Sequence, residues 1–192
     1  MPAEPITYRW LTRETLLEEV KRNPRLIKQL AQFSRLLVEL APTTPSFETV
    51  EPCAKQLVTP AKIVSQLRRG THLLLAVTPD GVVGVHQIDL RRDGQLHNRF
   101  IAVHPDYQRR KIGRNLTLRL IGMARKNMLT QFHGGLDTPE SNRLWRKIAA
   151  DLAHRHDIRF EFEPLQAISP IYTHATVHIS RRKANKTIPR KR

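Results

Sequence analysis

Phe100-Ile101-Ala102-Val103-His104-Pro105-Asp106-Tyr107-Gln108-Arg109-Arg110-Lys111-Ile112-Gly113-Arg114-Asn115-Leu116 decides how the rest of the chain is read. Its aromatic and β-branched opening predicts a strand, Pro105 breaks that strand, and the polar run before Ile112 is a turn leading into a helix. A turn of this kind aims successive backbone N–H groups into one concavity, and the N-terminal end of the helix dipole adds positive potential there. Arg109, Arg110, Lys111 and Arg114 strengthen the field. Gly113 lets the backbone approach a ligand where a β-carbon would obstruct it. The segment predicts an anion site suited to phosphate.

On its N-terminal side, Leu73 to Val77 and Val82 to Leu90 read as a hairpin around Pro79-Asp80-Gly81. A turn at Asp93-Gly94 adds a third antiparallel strand from about Leu96 to Val103. Earlier come a short strand from Ile6 to Leu11 and a helix to about Arg22 with Leu16, Leu17 and Val20 on one face. A second helix follows Pro24, residues 42–58 read as an irregular loop, and Pro60 opens a helix ending near Gly70. On the C-terminal side the pattern is helix 114–127, a strand from Gln131 to Leu136, helix 138–155, and strands Ile158 to Phe162 and Ile171 to Ile179. The fold class is mixed α+β.

The 192 residues, 40% of them hydrophobic, suffice for one core and are short for two. Residues 1–180 are read as one domain and 181–192 as a basic tail. No stretch reaches the roughly 20 apolar residues that span a bilayer, and the first thirty residues do not read as a signal sequence, so a cytoplasmic location is expected. The single cysteine, Cys53, excludes an internal disulfide and a thiolate-rich zinc site. His154-Arg155-His156-Asp157 ends a helix, where cations suit the dipole, and no metal is expected. The net charge of +16 and a pI near 11.0 predict attraction to polyanions. The tail holds seven cations and no acid; without it the net charge is still +9.

The run Val103-His104-Pro105-Asp106-Tyr107, followed by Gln108-Arg109-Arg110-Lys111-Ile112-Gly113, resembles the signature of the GNAT superfamily of N-acetyltransferases. That signature is a strand, Val-x-Pro-x-Tyr, then Gln/Arg-x-x-Gly-x-Gly/Ala at the start of the central helix. Val103, Pro105, Tyr107, Gln108 and Gly113 match. Lys111 stands where the first motif glycine is expected, which requires its backbone to stay unstrained. The family places an Asn on the next helix, and Asn142 occupies that place here.

The resemblance implies a three-layer fold: a mostly antiparallel twisted sheet of six to seven strands with a V-shaped splay, flanked by helices. It also implies acetyl-CoA as co-substrate, with Ile101, Val103, Gln108, Arg109, Arg110, Lys111, Ile112, Gly113, Arg114 and Asn142 as its contacts. In the family a Tyr seven residues after the helix Asn protonates the departing thiolate; Ala149 stands there in this chain. Tyr172 is the substitute candidate. His97 and His133 are candidate bases, since alternation puts His97 and Arg99 on one face with Ile101 and Val103. Asp89 is a further candidate carboxylate.

The implied activity is acyl transfer to a primary amine, and the charge leaves its carrier open: a nucleic-acid-associated amine, or a protein or small amine. A non-catalytic nucleic-acid-binding protein on the same fold and a DNA- or RNA-modifying factor are the alternatives. A homodimer is compatible with all of them.

Overall fold

Apolar residues in the middle of the chain recur in runs that suit strands buried on both faces. In the computed structural model β2 (Thr71–Val77), β3 (Val82–Leu90) and β4 (Leu96–Val103) form an antiparallel meander, and β1 (Thr7–Leu11) pairs antiparallel with β2. β5 (Gln131–Leu136) lies parallel to β4, β7 (Thr173–Ile179) pairs antiparallel with β5, and β6 (Ile158–Pro164) closes the edge. The sheet order is β1-β2-β3-β4-β5-β7-β6. This seven-stranded, mostly antiparallel sheet is the expected one. The structure describes residues 5–43, 48, 50–90, 95–127, 129, 131–136, 138–164 and 173–180. Tyr172, the Asp93-Gly94 turn and the tail 181–192 lie outside them.

The helices follow local chemistry. α1 (Leu16–Arg22) and α2 (Leu26–Leu40) come first; α2 buries Leu26, Ile27, Leu30, Phe33 and Leu37, a spacing that lines one helical face. A short α3 (Glu51–Ala54) sits in the stretch expected to be irregular. α4 (Pro60–Arg68) starts at Thr59, whose hydroxyl accepts from the Lys62 amide at 3.3 Å. α5 (Ile112–Lys126) begins two residues before its expected start. α6 (Pro139–Asp151) opens with a capping box between Thr138 and Ser141 and stops four residues short of expectation. Leu17, expected on the inner face of α1, is 74% exposed.

The sheet separates two sets of apolar contacts. One face packs on α2, α3 and α4 through Leu73, Leu75, Val85, Phe100 and Ala102. The other meets α5 and α6, where Leu96, Phe132 and Trp145 form one cluster and Leu74, Ile112, Leu116, Ile101 and Val103 another. Trp145 is fully buried, its ring 5.6 Å from Phe132 and 6.5 Å from Phe160.

β4 changes face partway along. Gln87 pairs with Phe100 but Ile88 pairs with Asn98, which leaves Arg99 as an extra residue. Leu96 therefore joins Ile101 and Val103 on the α5–α6 side despite the odd separation between them. His97 consequently turns to the opposite face, and the expectation that it shares a face with Ile101 and Val103 is wrong.

Candidate functional site

After Val103 the His104 amide donates to the Val83 carbonyl at 2.9 Å, holding the end of β4 against β3. Pro105–Tyr107 form one 3₁₀ turn, and Gln108 is extended. Arg109 and Lys111 both have φ near 61°, and Lys111, with ψ 13°, is the N-cap of α5. Left-handed residues between right-handed or extended ones turn consecutive amides to the same side, which makes an anion nest. The first-turn amides of Ile112, Gly113 and Arg114 add to it because they lack intrahelical acceptors. Lys111 thus occupies the left-handed conformation that a glycine there would take without penalty; its backbone is strained, contrary to expectation.

The nest opens into a cleft of about 630 Å³ between β4, this turn and α6. Ile101, Ala102 and Val103 form one wall; Thr138, Glu140, Ser141, Leu144, Lys147 and Asp151 form the other. Gly113 lies where the walls meet: a Cβ there would stand 3.5 Å from Leu144 and 3.9 Å from both Ile101 and Val103. Arg114 binds the Asp151 carboxylate through Nε (3.1 Å) and Nη2 (3.0 Å), tying the start of α5 to the end of α6.

The expected contact residues separate. Ile101, Val103, Gln108, Arg109, Lys111, Ile112, Gly113 and Arg114 all line the cleft. Ile112 is 1% exposed and packs among Leu74 and Leu116, so its side chain anchors the helix while its amide serves the nest. Arg110 does not itself line the cleft; its guanidinium stacks on the ring of Tyr107, which does, 4.8 Å from the centroid. Asn142 also lies off the lining, its Nδ2 donating to Thr173 Oγ1 at 2.8 Å and its Oδ1 accepting from Arg146 at 2.9 Å. Lys147 brings a cation to the cleft that sequence reasoning did not single out.

The cleft leads to a gap in the sheet. β4 and β5 pair only through Leu96↔Phe132, His97↔His133 and Asn98↔Gly134. Beyond Asn98 the two strands part, which leaves the backbone groups of residues 99–103 on that edge without a strand partner among the described residues. This is the expected V-shaped splay. A Cβ on Gly134 would lie 2.9 Å from both Cβ and Nδ2 of Asn98, so the apex closes this tightly only with glycine there.

His97 and His133 do come together, as stacked rings 5.6 Å apart, and His174 extends the row with its ring 5.4 Å from His133. His133 Nδ1 contacts Thr176 Oγ1 at 3.2 Å. The row crosses β4, β5 and β7 on the face opposite the cleft, beside the apex of the splay. Asp89 accepts from Thr71 at 2.9 Å and pairs with Arg99 at 3.4 Å. Asp157 is held by Arg125 (2.6 Å) and Arg155 (3.0 Å), and these partners pull its carboxyl below the usual range.

One further polar pair lies under the apex on the cleft side. His86 is completely buried, and its Nε2 lies 2.6 Å from Asn98 Oδ1. Burial pushes the imidazole from 6.5 down to about 4, against the opposing effect of the Asn98 contact, so His86 is neutral at pH 7. A histidine and an asparagine twelve positions apart on two strands carry no sequence signature; only the strand pairing joins them.

The sequence model of an acetyltransferase (GNAT) domain matches residues 69–153, a span that contains the turn, the gap and all of α6. No curated protein matches the sequence significantly. Among solved structures, aminoglycoside 6'-acetyltransferase type Ii is similar at TM-score 0.59 and 13% identity, over 92% of this chain and 99% of the relative. A GNAT-family protein from Desulfovibrio desulfuricans is similar at TM-score 0.58 and 13% identity, over 92% and 99%. The paia N-acetyltransferase of Thermoplasma acidophilum, solved with coenzyme A, is similar at TM-score 0.53 and 14% identity, over 90% and 98%. At these identities the likeness establishes the fold, which is that of the GNAT acetyltransferases, and the GNAT domain model matches the chain across residues 69–153.

Proposed function

We propose that the chain transfers an acetyl group from acetyl-CoA to a primary amine. The observation that carries this is the anion nest at Gln108–Arg114 opening into a cleft that runs to the splayed edge of β4. The nest suits a pyrophosphate, with Arg109, Lys111, Arg114 and Lys147 supplying charge. The unpaired backbone from Val103 back toward Asn98 suits the amides of a pantetheine arm. The GNAT domain match over residues 69–153 supports the acyl donor, and one fold relative is an N-acetyltransferase, which is the ground for choosing an amine.

In the reaction the amine nitrogen attacks the thioester carbonyl, a C–N bond forms, the C–S bond breaks and the thiolate leaves with a proton. His97 and His133, on the face away from the cofactor cleft, are the groups we assign to removal of the amine proton, consistent with their position beside the apex. Tyr172 is retained as the proton donor on sequence grounds alone.

Calorimetry with acetyl-CoA tests the reading. Micromolar binding that weakens with Arg109→Ala is expected, and absence of binding at that concentration overturns it. The charge of +16 favours an acceptor carried on a polyanion. Removal of residues 181–192 tests that preference: undiminished turnover on a small amine refutes it, and nucleic-acid binding without acetyl-CoA binding favours a non-catalytic module.

A further inference from the structure

Most cations of α5 and α6 are engaged within the fold. Arg114, Arg125 and Arg143 pair with Asp151, Asp157 and Glu140, and Arg119 and Arg146 lie over the rings of Tyr8 and Phe162. α4 is different. Its exposed side carries Lys62 and Arg68, with Arg69 at the C-cap, and the helix contains no acid. None of the three joins an ion pair among the described residues. Gathered like charges repel one another, and an anionic partner laid along them removes that cost.

The stripe begins near the histidine row. Arg69 and Gly70 lead directly into Thr71, and Thr71↔Asp89, Asp89↔His97 and His97↔His133 are successive register partners across β2, β3, β4 and β5. Two strand spacings put His97 about 10 Å from the start of β2. α4 packs through Ile63 and Leu67 on the side of the sheet to which His97 turns, away from the cofactor cleft. In the other direction Lys62 lies about 10 Å along the helix from Arg69. There a second cavity, of about 450 Å³, opens between α2 and the start of α4, lined by Arg35, Lys55 and Lys62 and by the apolar Val38, Val58 and Pro60. Lys55 is tied to Glu51 at 2.7 Å, while Lys62 Nζ donates to the Lys55 carbonyl at 3.2 Å and Arg35 Nε to the Ala31 carbonyl at 3.3 Å. Lys62 and Arg35 keep further donors for a ligand. An apolar cavity with a guanidinium plane suits an unstacked base, which a single strand supplies and a duplex withholds. Glu39 also lines it; a carboxylate repels phosphate but accepts from a ribose 2′-hydroxyl, the group that separates RNA from DNA.

We infer that single-stranded RNA docks along α4, its phosphates on Arg68, Arg69 and Lys62 and one base in the cavity beside Arg35, so that an amine carried on it meets His97 from the side away from acetyl-CoA. This rests on the reading that the acceptor is carried on a polyanion, and the test keeps it apart from the acyl-CoA reading. Binding of a short fluorescein-labelled single-stranded RNA of mixed sequence is followed by anisotropy over a range of salt concentrations. The full chain is compared with Arg68→Ala/Arg69→Ala and with Lys126→Glu, on α5, which lowers the net charge equally on the other side of the sheet. At about 0.7 per phosphate contact on a single strand, the slope of log K against log salt should fall by about 1.4 in the double variant and hardly move in Lys126→Glu. Lys62→Ala alone should lower it by about 0.7. The parent should prefer RNA to DNA of the same sequence by roughly threefold to tenfold, the worth of one hydrogen bond, and Glu39→Ala should erase that preference. Equal slopes in the charge-matched variants, DNA bound as tightly as RNA, or no RNA binding overturns the inference. Acetyl-CoA is titrated calorimetrically into the same proteins; none of these residues lines the cofactor cleft, so its affinity should be unchanged in every variant, which also shows that each is folded. Failure of the parent to bind acetyl-CoA overturns the acyl-transfer reading, whatever the RNA slopes show.

Discussion

Lys111→Gly should make this protein more stable, which is an unusual expectation for a residue at the mouth of a binding cleft. Lys111 has φ 61° and ψ 13°. Left-handed backbone costs a residue with a β-carbon about 1–2 kcal/mol, and glycine does not incur that cost. Glycine loses more backbone freedom on folding, which returns about 0.5–1 kcal/mol of the gain. The net is a stabilisation of roughly 0.5–1 kcal/mol, or an increase in Tm of about 1–4 °C for a chain of this size. Lys111 is exposed, so the change creates no cavity that would offset the gain. Differential scanning calorimetry on the intact protein, Lys111→Gly and Lys111→Ala checks it. The alanine variant removes the ammonium but keeps the β-carbon, so its Tm should stay near that of the parent. Arg109 shares φ 61°, and Arg109→Gly should give a similar increment. A Tm for Lys111→Gly at or below the parent's would refute the reasoning, since the lysine side chain would then contribute contacts that outweigh the strain.

The buried His86 predicts a pH dependence of stability. Burial takes it from 6.5 to about 4, so the unfolded chain binds a proton that the folded one resists; stability is unaffected above pH 6.5 and falls as the pH drops toward 4, by roughly 3 kcal/mol at full protonation. His72, also lowered by burial, acts in the same direction, so urea midpoints of the parent are compared with those of His86→Gln; parallel curves between pH 7 and 4.5 would show that His86 contributes nothing. Trp145→Ala should cost about 3–5 kcal/mol, because it empties the space between Phe132 and Phe160. A loss below 1 kcal/mol by urea denaturation would mean that α6 is not anchored there. Arg109→Ala and Lys111→Ala should weaken CoA binding several-fold, with a shallower salt dependence, while Arg110→Ala should change it little because Arg110 lies on Tyr107. Equal effects of all three in calorimetry at two salt concentrations would place the pyrophosphate elsewhere.

Much of the site was legible in the sequence because it is local. The strand ending at Val103, the Pro105 break and the helix beginning at Ile112 are set by residues next to one another, and eight of the ten expected contacts line the cleft for that reason. Arg110 and Asn142 do not, because each has a partner whose position depends on how the turn and the sheet are packed: the Tyr107 ring for one, Thr173 for the other. The exposure of Leu17 has the same origin, since periodicity marks an apolar face but not whether another element covers it.

What the sequence by itself determined was the order and type of the elements and the basic turn between β4 and α5, because hydrophobic period, proline position and charge act over a few residues. Tertiary structure alone decided the insertion of β7 between β5 and β6, the side of the sheet to which His97 turns, and the pairing of His86 with Asn98. The first is a matter of strand order and the other two depend on strand register. A single extra residue at Arg99 reverses every side chain on one side of it relative to the other, and that residue becomes extra only when β3 is laid beside β4.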